Sequence, residues 1–122
     1  MALVDDIMSF LSTNMSGKTI KGDKFGPSPD DQIVIKTMPF GEPTVRSGVI
    51  DQRVMIVSRS ASRATAKADI DTAYDLMQKK TTNFGSIPIQ ICRCTQSPYF
   101  MTVDENDRPM FGMDFLIRTK GL

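Results

Sequence analysis

The chain has 122 residues, of which 15 are basic and 14 acidic, giving a formal charge of +1. That length suits one domain burying roughly two-thirds of the surface its unfolded form exposes, and the charge encodes no overall attraction to nucleic acid, membrane or acidic substrate. With no histidine and only two cysteines, serine–histidine and cysteine–histidine nucleophiles are excluded, and a zinc site has too few nitrogen and sulfur ligands.

Asp5 and Asp6 stand where an export signal would be basic, and no long apolar run occurs. Neither a signal peptide nor a membrane span is expected, and the protein is expected to stay in a cytosol. Leu3, Val4, Ile7, Met8 and Leu11 recur at helical spacing, which predicts a short amphipathic helix over 3–12 serving as a lid on the core. Residues 14–31, rich in glycine and proline, predict a long loop. Lys18, Lys21 and Lys24 against Asp23 make this loop locally basic. Such a loop could touch a phosphate backbone, but three lysines with Phe25 as the one nearby aromatic are more often simply a solvated loop.

QIVIKTM (32–38) and QRVMIVSR (52–59) are β-branched runs separated by a glycine- and proline-punctuated turn, and they predict paired strands. The unbroken run Val54–Val57 predicts a central strand covered on both faces, by helices or by a neighbouring subunit. Residues 60–80 form the strongest helical pattern, with Ala66, Ile70, Ala73, Tyr74 and Met77 on one stripe and Lys67, Asp71, Asp75 and Lys79 opposite. Ser60 or Ser62 suits the cap, Lys67–Asp71 and Asp75–Lys79 are i,i+4 pairs, and alanines 64, 66, 68 and 73 would let the helix lie close on a sheet. Ile87, Ile89 and Ile91 then share a strand face. Cys92 and Cys94, two apart on one strand, make a mutual disulfide awkward and are expected as two reduced thiols.

Tyr99, Met101 and Val103 alternate with Phe100 and Thr102, and Phe111, Met113, Phe115 and Ile117 alternate with smaller or polar residues. This period predicts a closing β-hairpin around Asp104, Glu105, Asn106, Asp107 and Arg108, with Pro109 opening the return strand. The acids do not form a calcium loop, because counting from Asp104 the sixth position is Pro109 and the twelfth Phe115, where glycine and a carboxylate are required. Nor does a flexible turn beside Arg108 offer the split carboxyl environments that acid–base catalysis needs. No internal repeat and no glycine-rich phosphate loop occurs. The element order predicts one α+β domain over 1–122, with a mainly antiparallel sheet and two helices packed on one face. No enzyme activity, cofactor or metal is expected.

The order of landmarks resembles the minor capsid and tail terminator proteins of long-tailed bacteriophages. They are Pro27-Ser-Pro29-Asp30 ahead of QIVIKTM, then Gly41 and Pro43, VMIVSR ending in Arg59, ATAKADIDTAYDLM, SPYFMTVDENDR and MFGMDF. Asp104, Arg108 and Phe115 match the closing hairpin and Arg59 the strand-end arginine. Asp114 departs from the asparagine expected before that phenylalanine, and the Lys18–Lys24 loop has no counterpart. The resemblance implies a tail-terminator-like fold and a virion protein at the head-proximal end of the tail, assembled in the host cytoplasm. It would form a hexameric ring of identical subunits on the tail tube protein, halt tube growth and offer a surface to the head-completion or connector protein. DNA would pass through the ring only as cargo, and no membrane is involved. The expected subunit or tube contacts are Arg59, Asp104, Glu105, Asp107, Arg108, Lys18, Lys21 and Lys24, with a solvated turn as the plain reading of the hairpin charges. A head-completion or stopper protein is the nearest alternative. A small nucleic-acid-binding module using Lys18, Lys21, Lys24, Arg46 and Arg53 is the other.

Overall fold

The computed structural model describes residues 2–15, 17–22, 24–26, 30–37, 49–78 and 89–120. In chain order the elements are α1 (Ala2–Asn14), β1 (Thr19–Gly22), β2 (Gln32–Thr37), β3 (Val49–Arg59), α2 (Arg63–Gln78), β4 (Ile89–Val103) and β5 (Pro109–Lys120). The five strands make one sheet in the order β1-β2-β3-β5-β4. Among the described residues only the β1–β2 pair is parallel, and the other three pairings are antiparallel. This is an α+β fold with a mainly antiparallel sheet and both helices on one face.

β3 occupies the centre because its apolar run serves both faces. Val54 and Ile56 point into the cluster under the helices, together with Ile33 and Ile35 of β2 and Phe111, Met113, Phe115 and Ile117 of β5. On the opposite face Val57 pairs in register with Val34, and both are fully buried, while Met55 is half-buried. α1 supplies Ile7 and Leu11 to the core, both fully buried; the side chains of Leu3 and Val4 lie outside the described residues.

α2 buries Ala66, Ile70, Ala73 and Met77 as its spacing predicts, plus Asp69. Tyr74 is half-buried, its ring 6.2 Å from that of Phe115. Ser62 is the cap, accepting a bond from Thr65 N–H at 3.4 Å, whereas the Ser60 hydroxyl donates to Asp31 and accepts from Ser62 N–H. Lys67 and Asp71 pair at 2.6 Å; Lys79 and Lys80 lie outside the described residues. Ala66 and Ala73 meet the sheet, but Ala64 and Ala68 are exposed, so only half of the small residues serve close approach.

Two expectations are corrected. Residues 14–31 are not all loop, because Thr19–Gly22 form the parallel edge strand β1. Four half-buried residues are too few to show a period, and their pairing comes from the exposed edge of β2 rather than from a local turn. The strand after α2 and the first arm of the hairpin are also one element, β4, with register shifts around residues 89–91, 94–99 and 100–102. Ser97-Pro98 reads as a break in sequence, yet an edge strand tolerates a missing N–H on its outer side, and bulges absorb the extra residues. The hairpin turns where the alternation predicts, between Val103 and Pro109. Cys92 and Cys94 are free thiols, half-buried among the residues packed against the core.

Candidate functional site

Arg59 ends β3 on the face away from the helices, in register with Gln32 on one side and Met110 on the other. It is only 3% exposed, so its guanidinium must be satisfied inside the fold. The segment before β2 does most of this. Arg59 Nη2 donates to Gly26 O at 2.9 Å and Nε to Asp30 O at 3.2 Å, and the guanidinium carbon lies 4.6 Å from the Phe25 ring centroid. Gln32 fixes that segment by a reciprocal pair of bonds with Gly26, at 2.9 and 3.0 Å.

The hairpin turn completes the group. Asp104 Oδ1 accepts from the backbone N–H of Asn106 at 2.9 Å and of Arg108 at 2.8 Å. Its Oδ2 accepts from Arg108 Nε at 2.7 Å and lies 3.8 Å from Arg59 Nη1. Arg108, also buried, reaches across to Asp30 Oδ1 at 3.2 Å. Asp107 takes the left-handed backbone that closes the turn, with φ of 59°, a conformation aspartate tolerates. Burial alone would raise the Asp104 carboxyl, but the two N–H donors and the Arg108 guanidinium outweigh it and hold the group below the usual aspartate range. Burial, then the neighbouring Arg108 charge, lowers Arg59, while Asp104 and Asp30 act the other way. Chemically this is an ionised carboxylate locked between two guanidiniums, suited to anchoring rather than to proton transfer. A cleft of about 480 Å³ opens beside it, lined by Phe25, Gly26, Arg59, Asp104, Glu105, Arg108 and Met110.

Of the residues singled out from sequence, Arg59, Asp104 and Arg108 come together in this anchor. Glu105 and Asp107 stand exposed at the turn. Lys18 lies elsewhere, its ammonium 3.1 Å from Asp69 of α2, while Lys21 is half-buried and Lys24 exposed. Phe25 and Gln32 carry no sequence signal for their part in the anchor, and Asp30 gives only its place in the landmark string. Also unforeseen is a stack at the start of α2, where Arg63 lies 4.5 Å from the Phe100 centroid and 5.5 Å from that of Phe111.

Asp114 of β5 faces away from the helices, opposite Met55 and Gln96, with a buried Oδ1 that has no hydrogen-bond partner. Burial raises its carboxyl, partly countered by Arg53. A carboxyl raised by folding is more stable protonated, so its ionised form weakens the fold at neutral pH and the deficit is relieved as pH falls through the raised value. Asp114→Asn is therefore expected to raise the melting temperature at pH 7, with the advantage shrinking toward acid pH. A lower melting temperature for the variant at pH 7 would show that the carboxylate is usefully paired.

Among the described residues no group of three or more His, Cys, Asp or Glu is placed to hold a metal ion, and no helix is long and apolar enough to cross a membrane. In comparison with known proteins, no family model and no curated sequence matches this chain.

Proposed function

We propose that the chain is a structural virion protein of the phage head–tail joint, closing as a hexameric ring on the tail tube, stopping tube growth and presenting the surface to which the head attaches. The observation that carries this reading is where apolar surface is left uncovered. Val103, at 44% exposure, and Phe100, still 42% exposed although Arg63 and Phe111 pack on its ring, stand on the outer strand of the hairpin, immediately beside a charge cluster satisfied within the chain. Apolar residues held out on a rigid edge suit contact with another subunit. The landmark order from Pro27 to Phe115 gives that contact its biological setting. A ring of this kind needs a head-to-tail interface in which two different surfaces of one chain meet around a cyclic axis.

The test is deletion of the gene followed by electron microscopy of the lysate. Tails of uncontrolled length are the expected result. Tails of normal length that never join heads would assign the protein to head completion instead, and normal infectious particles would overturn both assignments.

A further inference from the structure

The two outer strands of the sheet, β4 at one edge and β1 at the other, lead into charged groups of opposite sign, acidic at the turn that ends β4 and basic in and just after β1. At the β4 edge the exposed Phe100 and Val103 run into the turn that presents Glu105 and Asp107, whose side chains have no hydrogen bond or ion pair among the described residues. At the β1 edge Lys21 and Lys24 likewise have none, whereas Lys18 is already engaged by Asp69. The register fixes how these groups sit relative to one another. Thr19 pairs with Gln32, Gln32 with Arg59, Arg59 with Met110, and Met110 with Thr102. One row across the sheet thus runs from the foot of the lysine edge to the foot of the acidic turn. Lys21 stands two residues along β1 from that row, opposite Val34, and Lys24 follows the end of β1, so lysines and acids occupy opposite edges of a sheet roughly 19 Å wide at about 4.8 Å per strand.

We infer that the β4 edge of one copy, with Phe100, Val103, Glu105 and Asp107, docks on the β1 edge of the next copy through Lys21 and Lys24. The inference rests on the ring reading above and names the surfaces that close the ring. A second copy is the occupant because opposite charges stand on opposite edges of the same sheet. Rotation about a single axis then brings acid to lysine at every junction without turning any subunit over. A two-fold contact would set acids against acids or lysines against lysines, which is unfavourable.

The test uses the purified full chain, with self-association followed by sedimentation velocity over a range of concentrations. K21E/K24E and E105K/D107K are each expected to weaken association by about tenfold or more. The quadruple variant, and an equimolar mixture of the two double variants, should restore it, because each then again presents acid to base. Higher salt should weaken the wild-type contact. Weakening without recovery in the quadruple variant overturns the pairing, as does a wild-type chain that stays monomeric at every concentration. If the double variants form rings as readily as wild type, this interface is wrong while the ring reading stands. Charge-dependent association together with normal particles in the deletion lysate would leave the interface and remove the head–tail assignment. Salt-sensitive binding of a DNA oligonucleotide that is lost in K21E/K24E but unaffected in E105K/D107K would assign the lysine edge to nucleic acid and overturn the inference.

Discussion

Ile70→Asp is expected to unfold most of the protein at body temperature. Ile70 is fully buried in the cluster where α2 meets the sheet, among Ala66, Ala73 and Met77 of its own helix. Losing the isoleucine forfeits about 1.5–3 kcal/mol of apolar burial. An unpaired carboxylate in its place adds a further penalty of several kcal/mol, limited by the group's ability to protonate instead. Against a typical total of about 5–15 kcal/mol, the combined loss is decisive. Because the buried acid is stabilised by protonation, the variant should recover part of its stability as pH falls. Ile70→Val, which trims one methyl group, should cost only about 0.5–1.5 kcal/mol. Thermal or denaturant melts of the three chains separate these cases. An unchanged midpoint for Ile70→Asp would mean that α2 presents a different face to the sheet.

The elements legible in the sequence are those whose own period is long enough to declare itself. α2 repeats its apolar stripe over about three turns, and β5 alternates from Phe111 to Ile117, so both could be placed with the correct face inward. β3 was legible as central because Val54–Val57 is apolar on both parities, and its neighbours β2 and β5 do flank it. β1 was not, since Thr-Ile-Lys-Gly has no period and forms only because β2 offers a free edge next to it. β4 is not legible as one strand, because a proline inside it is unfavourable in local terms yet harmless at a sheet edge.

The anchor shows the same limit at the level of side chains. Asp104 and Arg108 lie four positions apart, so their pairing within the turn was within reach of a local argument. Arg59 meets Asp30 from 29 positions away and Arg108 meets it from 78. Those contacts exist only because β3 and β5 run side by side and bring their ends to the segment before β2. The cation over Phe25 has the same origin. Charge alone left open whether the hairpin acids were solvated or paired. The fold divides them, locking Asp104 inside and leaving Glu105 and Asp107 exposed.

Asp104→Ala should do more damage than any other substitution in the turn. It removes at one stroke the acceptor of two backbone N–H groups, the partner of Arg108 and the nearest carboxylate to Arg59. Two buried guanidiniums would then face each other without the carboxylate that bridges them, an arrangement that favours opening over compactness. The expected result is a fall of at least several degrees in melting temperature, with faster proteolysis or hydrogen exchange at residues 24–26 and 30–32, which the two arginines hold in place. Asp104→Asn should be intermediate, because its amide oxygen can still accept from the backbone but carries no charge. Glu105→Ala, at an exposed position, should leave the melting temperature unchanged. The pH dependence gives an independent check. Folding lowers the Asp104 pKa, so its contribution is complete above the unfolded value of about 4 and is lost as pH falls through the lower folded value. The gap between wild type and Asp104→Ala should accordingly be constant from neutral pH down to about 4 and close below it. A gap that persists unchanged in strong acid would show that the carboxylate's charge is not what holds the turn to the rest of the sheet.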